Sequence, residues 1–283
     1  MRIATWNMNH SKAHRQAAWE WLQQRGVDVA LVQESLPPPE EFGKPVFRVV
    51  GDETKSYSWG SGVVALRPDL VLRPRPRVEL AKCYMQVPED GAVPDSHPGA
   101  SAIADVLTSD NRLLLTVVSL YAQWEGVSGT SDWYSCSRFH RVVSDLTGIL
   151  AHANRCPVVL AGDFNLSTQH DTSRSSRIAA QSAAAAFARL KAWQLVDCVG
   201  RTRSTRERLA GCQCLDGDAC SHVETFRRKG QPTGSDGQLD YVFVSESLAD
   251  PMSCTVTSDA YVWGLSDHCP LLIDINTGWS DAG

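Results

Sequence analysis

Several polar residues in this sequence stand at the ends of short apolar runs, at the margin of the predicted core. Residues 158–161 are apolar and lead directly into Asp163 and Asn165. The other residues in such positions are Asn7, Glu34, Tyr121, Asp240, Asp267 and His268. A carboxylate at the margin of an apolar core costs free energy unless it is paired or binds a cation. If the ends of these runs converge, we expect their side chains to surround a bound cation.

The donor atoms of this group indicate which cation it would take and which chemistry it could support. The group is rich in oxygen and contains no thiol, and such donors favour a hard cation such as Mg²⁺ or Mn²⁺. A single histidine beside a spare carboxylate suits a proton relay or an orienting pair. A cation that offsets charge, a group that activates water and donors for the transition state are what phosphoryl chemistry requires.

The elements that would position these residues are strands alternating with helices. The apolar patterns predict strands over residues 3–7, 27–34, 61–68, 157–162, 238–245 and 270–275, and a hairpin over 100–122 with its turn at 108–111. They predict helices over residues 11–26, 138–155 and 176–193. Asp163 and Asn165 would share one face, because extended residues two apart point the same way. The order of elements favours a mixed-sheet α/β layered fold in one domain spanning residues 1–283.

Composition and charge narrow the classes of function. The chain has 283 residues, of which 43% are hydrophobic and 21% charged, a typical globular mixture. It lacks an apolar run near the ~20 residues of a membrane helix. It also lacks a recognisable signal peptide, so we expect a cytoplasmic protein with no membrane partner. The formal net charge is −5, so only a local basic surface could supply the phosphate contacts that nucleic-acid binding needs.

Six sequence blocks occur in an order that resembles one enzyme superfamily. They are IATWN, VQE, SLY, GDFN, LDYVFVS and SDHCPL, and together they span nearly the whole chain. The sequence is similar to the endonuclease/exonuclease/phosphatase superfamily, which holds the apurinic endonucleases, pancreatic-type deoxyribonucleases, neutral sphingomyelinases and inositol polyphosphate 5-phosphatases. The resemblance implies a four-layer α/β sandwich, in which two mixed β-sheets pack face to face with helices outside.

The resemblance also implies roles for the residues at the ends of the apolar runs. Glu34 would be the main carboxylate on the metal ion, helped by Asn7 and Asp267. Asp163 would activate or position the attacking water, and Asn165 would hold that water or a phosphate oxygen. By itself, Asp-Phe-Asn is also a common turn sequence.

Three further roles follow from the same resemblance. Tyr121 would contact the phosphate, although a tyrosine at a strand end is also compatible with simple packing at the edge of the core. His268 would stabilise the negative charge that develops during the reaction. Asp240 would orient the ring of His268.

Histidine and arginine side chains at the start of a predicted helix form a less specific signal. Arg138 and His140 begin the helix predicted over residues 138–155, where some members of the superfamily place phosphate-binding groups, and helix starts attract anions. A solvated helix start is the alternative. The remaining histidines stand in polar contexts and are predicted to lie on the surface: His10, His14, His97, His152 and His170.

A second cluster, in a loop over residues 211–223, has a different chemistry. Cys212, Cys214, Cys220 and His222 supply three thiols and an imidazole, the ligand set of a tetrahedral structural Zn²⁺ site. Their spacing differs from that of common zinc fingers, so a loop of reduced thiols without metal stays open as the alternative. The superfamily core does not require these residues, and we expect them to form an added loop.

Together these features predict divalent-metal-dependent hydrolysis of phosphodiester bonds, with nucleic acid as the substrate. A second possibility is a phosphomonoesterase that acts on a small phosphorylated metabolite, an inositol phosphate or a lipid. A third is a catalytically inactive binding module that keeps the fold. The motifs indicate a reaction at a phosphorus atom. They do not identify the rest of the substrate, because substrate choice resides in loops. The oligomeric state is open as well.

Overall fold

Two mixed β-sheets of six strands each form the centre of the protein, which is described by a computed structural model. The structure describes residues 1–43, 45–51, 56–78, 92–126, 133–153, 155–169, 174–201, 209, 212, 220, 222–228 and 237–276. Among these residues, no helix combines the length and apolar character needed to cross a bilayer.

Strands make up most of the regular structure. Within the described ranges they are β1 Arg2–Asn7, β2 Val29–Ser35, β3 Val46–Gly51, β4 Ser56–Ala65, β5 Leu70–Pro74, β6 Arg77–Val78, β7 Val93–Pro94, β8 Ser101–Thr108, β9 Leu113–Tyr121, β10 Glu125–Gly126, β11 Trp133–Tyr134, β12 Val158–Asp163, β13 Leu195–Asp197, β14 Asp240–Ser245, β15 Met252–Val256 and β16 Leu271–Ile275. The helices are α1 Arg15–Gln24, α2 Cys136–Asp145, α3 Thr147–Leu150, α4 Arg174–Ala192, α5 Cys198–Arg201, α6 Glu246–Ala249 and α7 Ala260–Leu265, with a 3₁₀ turn at Glu40–Phe42.

Each large sheet is built around one parallel pair of strands with antiparallel neighbours on both sides. The first sheet has the order β15–β16–β1–β2–β4–β3, and β1 and β2 are its parallel pair. The second has the order β13–β14–β12–β9–β8–β5, and β9 and β12 are parallel. In the chain, α1 lies between β1 and β2, and α2 and α3 lie between β9 and β12. The predicted hairpin is present as β8 and β9.

Apolar side chains fill the space between the two sheets. Ile3 and Leu31 of the first sheet share one buried cluster with Val117 and Ala161 of the second. Alternate residues of each strand point to opposite faces, so the other faces of both sheets need cover of their own. Helices supply that cover, which confirms the four-layer α/β sandwich predicted from the sequence.

The two helical layers cover the sheets through large side chains. Trp19 and Leu22 of α1 pack with Val32 on the outer face of the first sheet. Phe139 of α2 and Phe187 of α4 pack in a single cluster with strands of the second sheet. Each fully buried side chain of this size stabilises the fold by roughly 1.5–3 kcal/mol.

One buried amide ties the sheets together close to the ends of their parallel pairs. Nε2 of Gln33 in β2 donates to Oγ of Ser119 in β9 at 2.8 Å and to Oγ1 of Thr5 at 3.2 Å. Oγ of Ser119 donates in turn to the carbonyl oxygen of Val32 at 2.8 Å. Because a buried polar group needs its partners, these hydrogen bonds fix the alignment of β2 against β9.

Candidate active site

The carboxyl ends of the two parallel pairs meet at one end of the sandwich. β1 ends at Asn7 and β2 carries Glu34 near its end, while β9 and β12 end at Tyr121 and Asp163. Tyr121 lies opposite Asp163 in the parallel register, and Asp240 lies opposite Asp163 from the antiparallel side. Both sheets therefore contribute to one site, and the register of β12 with its two neighbours sets the spacing within it.

Asn7 links the two sheets at this site. Its Nδ2 donates to Oε1 of Glu34 at 3.1 Å and to Oδ2 of Asp163 at 2.9 Å. Its Oδ1 accepts the backbone N–H of Asn9 at 2.9 Å. The amide thus acts as a donor between two carboxylates, and its role as a metal ligand stays a prediction.

The turn that follows β12 holds Asp163 and Asn165 against each other. The backbone N–H of Asn165 donates to Oδ1 of Asp163 at 2.8 Å, and its Nδ2 donates to Oδ2 at 3.1 Å. Asn165 has a φ of 48°, in the left-handed region that asparagine tolerates better than most residues. Gly162 has a φ of 150°, and a Cβ there would lie 1.9 Å from the carbonyl oxygen of Leu120. Gly-Asp-Phe-Asn is therefore a turn that also supports a buried carboxylate.

Asp163 faces an imidazole that a second aspartate holds in place. Nε2 of His268 lies 3.8 Å from Oδ2 of Asp163, and Nδ1 of His268 is hydrogen-bonded to Oδ2 of Asp240 at 2.8 Å. The ring of Phe226 packs on the imidazole with 4.9 Å between the ring centroids. We call Asp163, Asp240 and His268 the strand-end cluster. Within this cluster, Nε2 of His268 faces Asp163, but the distance between them is too long for a hydrogen bond.

Burial and charge raise two pKa values in the strand-end cluster. Burial raises the pKa of Asp163, and although the charge of His268 opposes this rise, the carboxylates of Asp240 and Glu34 add to it. Burial alone would lower the pKa of His268, but the carboxylates of Asp240 and Asp163 outweigh it and raise that pKa. The imidazole is therefore held as a cation, and Asp163 has more affinity for a proton than an exposed aspartate.

Glu34 and Asp267 bring further carboxylate oxygens to the same place. Burial alone would raise the pKa of Glu34, but hydrogen bonds with His10, Tyr121 and Asn7 lower it. Burial raises the pKa of Asp267, and the charge of Glu34 adds to that rise. Carboxylates that repel one another in a buried setting favour a bound cation, and an all-oxygen donor set fits Mg²⁺ or Mn²⁺.

Comparison with protein families assigns the chain to one of them. Residues 4–268 match the sequence model of the Endonuclease/Exonuclease/phosphatase family. The chain belongs to this family. The matched range includes the strand-end cluster, Glu34 and Asn7, so the family assignment and the geometry concern the same part of the molecule. A comparison with curated proteins returns no match.

Solved structures share the fold at low sequence identity. An AP endonuclease from Archaeoglobus fulgidus aligns with a TM-score of 0.61 and 16% identity, over 98% of this chain and 100% of that one. The endonuclease domain of TRAS1, a telomere-specific non-LTR retrotransposon, gives 0.54 and 16% over 98% and 99% of the two chains. The Xenopus laevis APE2 catalytic domain gives 0.65 and 15% over 97% and 91%. At these identities the likeness concerns the fold.

In this member of the endonuclease/exonuclease/phosphatase family, two aromatic rings that the sequence did not single out border the site. Nδ1 of His10 lies 3.0 Å from Oε2 of Glu34, and its ring stacks on Trp59 with 5.5 Å between centroids. Trp59 in β4 meets Tyr121 edge to face at 6.0 Å. His10 was predicted to be a surface residue, and half of its side chain is exposed, but it lies at the mouth of the site. Its position three residues after Asn7 was the available signal.

The two residues predicted to bind phosphate, Arg138 and His140, lie in different surroundings. Arg138, in the first turn of α2, donates to Oε1 of Gln123 at 2.8 Å and pairs with Glu125 at 3.2 Å. Its charge acts on Tyr121, which places it beside the site. His140 lies next to Arg189 of α4, whose guanidinium donates to the His140 carbonyl oxygen at 2.8 Å. Arg138 is thus near the site, and the contacts of His140 are with the helical layer.

A groove of about 730 Å³ lies next to the carboxylates of this family member. Asp267, His10, Arg227 and Trp263 are among the residues that line it. The guanidinium of Arg227 lies 4.3 Å from the centroid of the Trp263 ring and is ion-paired with Glu224. The groove thus adds a cation and an aromatic ring to the acidic site.

The predicted zinc loop is described in part. Cys212, Cys220 and His222 lie together and are buried, and we call them the thiol cluster. Cys214, the remaining predicted ligand, lies outside the described residues. The thiol cluster is chemically separate from the strand-end cluster, since one offers sulfur and the other oxygen.

Proposed function

We propose that this protein is a divalent-metal-dependent hydrolase of phosphodiester bonds and that its substrate is nucleic acid. The observation that carries the proposal is the 3.8 Å gap between Nε2 of His268 and Oδ2 of Asp163. A cationic donor and a proton acceptor face each other there without satisfying each other. Such a pair can take a proton from water on one side and meet developing negative charge on the other.

Asp163 is the proton acceptor in this proposal. Its raised pKa makes it a stronger base than an exposed aspartate, so it removes a proton from the attacking water more readily. The amides of Asn7 and Asn165 both donate to its Oδ2. Because one donor ends β1 of the first sheet and the other lies in the turn after β12 of the second, the carboxylate keeps one orientation, as a positioned base requires.

His268 is the group that meets negative charge on the phosphate. Its raised pKa keeps the ring protonated, so Nε2–H donates to the phosphate oxygen on which charge accumulates. Asp240 accepts from Nδ1 at 2.8 Å, which holds the ring plane and favours the cationic form. The ring is therefore oriented before the substrate arrives.

Glu34 and Asp267 are the residues that would hold the metal ion. Bound there, Mg²⁺ or Mn²⁺ would offset phosphate charge and polarise a phosphate oxygen. Asn7 donates to Glu34 at 3.1 Å and aligns it with Asp163. Burial and the charge of Glu34 raise the pKa of Tyr121, so its hydroxyl stays protonated and is a neutral donor beside the carboxylates.

Two observations support nucleic acid as the substrate. The three solved structures named above are an AP endonuclease, a retrotransposon endonuclease domain and the APE2 catalytic domain. The groove beside Asp267 presents Arg227 over the Trp263 ring, and such surfaces bind phosphates and stacked bases. The net charge of −5 opposes general attraction to a polyanion, so the groove and the metal ion would have to provide it locally.

We also propose that residues 1–283 form a single domain. β1 pairs with β16 along four register positions, from Arg2 opposite Asp274 to Thr5 opposite Leu271. One buried cluster contains residues of both large sheets. Elements that share a sheet and a core in this way are expected to unfold together.

The test compares strand cleavage with phosphate release. The protein is incubated with single- and double-stranded DNA, duplex DNA containing an abasic site, RNA and small phosphomonoesters, each with Mg²⁺, Mn²⁺ or chelator. We expect metal-dependent strand cleavage that falls steeply with added salt, because phosphate contacts release counterions. Asp163→Asn, purified in parallel, controls for contaminating nucleases.

The other outcomes identify the alternatives. Release of inorganic phosphate without strand cleavage would replace the proposal with a phosphomonoesterase, whose rate would depend much less on salt. Binding of nucleic acid without hydrolysis under any metal would indicate an inactive binding module.

A further inference from the structure

The thiol cluster has the dimensions of a metal site. Sγ of Cys212 and Sγ of Cys220 lie 3.5 and 3.4 Å from the same atom, Nδ1 of His222. The three residues are between 5% and 8% exposed, and their ligand atoms all lie within 4.8 Å of one another. In a tetrahedral Zn²⁺ site with Zn–S of ~2.3 Å and Zn–N of ~2.0 Å, neighbouring sulfur and nitrogen ligands are about 3.5 Å apart.

A hydrogen bond to Nδ1 of His222 accounts for only one of the two sulfur contacts. A ring nitrogen carries either one lone pair or one proton in the plane of the imidazole, so it can make one good hydrogen bond. Two thiols converge on Nδ1 of His222 nevertheless. A metal ion between the three atoms would account for both contacts.

Neighbouring side chains support a metal-binding state of the cluster. Nε2 of His222 is 2.5 Å from Oγ1 of Thr168, a hydroxyl that can accept from Nε2–H, and in that tautomer Nδ1 keeps the lone pair that a metal ligand needs. Nε2 of Gln169 donates to Sγ of Cys212 at 3.4 Å, and such donors stabilise a thiolate. Outer partners of this kind orient metal ligands in known sites.

We propose that Cys212, Cys220 and His222 bind a structural Zn²⁺ ion that is separate from the hydrolytic metal site. Two thiolates and one imidazole select zinc over Mg²⁺ or Mn²⁺, which prefer oxygen. This inference does not depend on the hydrolytic function, because it concerns other residues and another metal.

The ion would fasten two segments that support the catalytic residues. His222 and Gln169 connect the thiol cluster to the chain that follows Asn165. Oε1 of Gln169 accepts the backbone N–H of Gln238 at 2.8 Å, two residues before Asp240. The ion would thus stabilise the wall of the site from outside it, without touching the substrate.

The experiment measures zinc in protein purified without chelators. We expect about one Zn²⁺ per chain in the wild type, and its loss in Cys212→Ser and Cys220→Ser. Cys156→Ser is the matched control, since Cys156 is a half-buried thiol hydrogen-bonded to Thr116 at 3.4 Å and distant in sequence from the cluster. Glu34→Gln is the second control and should keep its zinc, because the oxygen-rich site is separate.

A measurement on the wild type keeps the proposal testable if the serine variants fail to fold. Replacement of the metal by Co²⁺ should give a thiolate-to-cobalt charge-transfer band and the intense visible bands of a tetrahedral site. Protein that lacks zinc and shows no such band after Co²⁺ addition would overturn the proposal. So would zinc that persists in the double variant Cys212→Ser/Cys220→Ser, or a Cys212–Cys220 disulfide found by mass spectrometry under non-reducing conditions.

Discussion

The strand-end cluster and the thiol cluster are similar in composition, but they differ in the distances around the second ring nitrogen of their histidine. Each combines one buried histidine with two acidic or thiol side chains, and in each one ring nitrogen is hydrogen-bonded to an oxygen atom, Oγ1 of Thr168 in the thiol cluster and Oδ2 of Asp240 in the strand-end cluster. In the thiol cluster the other nitrogen meets sulfur at 3.4 and 3.5 Å, whereas in the strand-end cluster Nε2 of His268 stops 3.8 Å short of Asp163. The sulfur–nitrogen distances of the thiol cluster match those of a tetrahedral Zn²⁺ site, and the longer gap in the strand-end cluster leaves room for water and substrate.

The two clusters also differ in how the chain builds them. The thiol cluster lies within eleven residues of the sequence, from Cys212 to His222, so one loop can assemble it. The strand-end cluster joins Asp163, Asp240 and His268, which only the folded sheets bring together. Loss of a thiol ligand should therefore act on stability, and loss of a strand-end residue on chemistry.

The largest expected effect is a loss of turnover when a residue of the strand-end cluster is replaced. Asp163→Asn and His268→Ala should each lower turnover at least ~100-fold, the scale of one general base or one donor to developing charge. Asp145→Asn is the matched control, because Asp145 is also a buried aspartate but bonds Ser96 away from the site. Turnover is measured on the substrate found above, with folding checked by circular dichroism. Near-normal rates in either folded variant would remove these residues from the mechanism.

The second effect concerns the metal ion that activity requires, which should depend on the oxygen-rich site and not on the thiol cluster. Chelator should abolish activity, Mg²⁺ or Mn²⁺ should restore it, and Glu34→Gln should raise the required metal concentration roughly 10-fold or more. Titration of activity against free metal gives the comparison. Cys220→Ser should follow the wild-type curve, since its sulfur is not an oxygen-site ligand. Full activity in excess chelator, with zinc content unchanged, would exclude the oxygen-rich site from the reaction.

The third effect is on thermal stability. Cys220→Ser should lower Tm by ~5 °C or more, because metal binding to a folded loop contributes to folding free energy. Turnover well below Tm should stay within a few-fold of wild type. Differential scanning calorimetry of Cys220→Ser and the Cys156→Ser control gives the comparison. An equal Tm in the two proteins would indicate that the cluster adds no stability.

The smallest effect is a shift of the pH profile. Asp240 raises the pKa of both His268 and Asp163, so Asp240→Asn should lower both. The base then loses its proton at lower pH, and the cation is lost at lower pH as well. Both limbs of the kcat/KM profile should therefore move to lower pH in the residual activity of the variant. An unchanged alkaline limb would show that another group sets it.

The sequence predicted that the polar residues at the strand ends lie together because their placement depends on strand order, and their roles stay predictions. Polar residues at the ends of apolar runs indicated Glu34, Asp163 and His268, and the carboxyl ends of parallel strands necessarily lie at one edge of a sheet. The resemblance carried by the six sequence blocks further predicted that two sheets pack face to face. The elements themselves followed from periodicity, as in the hairpin of β8 and β9.

The features of the site that the sequence did not predict depend on side-chain direction and on turns. The sequence does not show which side chains the amide of Asn7 contacts, because only the fold brings Glu34 and Asp163 to it. His10 reaches Glu34 because the chain after β1 turns through residues with positive φ, 38° at His10 itself. Trp59 comes from a long strand whose apolar pattern does not reveal which residue faces the site.

The pairing of β1 with β16 has a consequence for how the protein is made. β1 lies between β2 and β16, and the ammonium group of Met1 donates to the carbonyl oxygen of Ile275 at 3.0 Å. A ribosome that has translated as far as Gly200 has released neither Asp240 nor His268, and β1 still has an open edge. Contacts so distant in sequence form late. The strand-end cluster therefore cannot form before Asp240 and His268 have been translated.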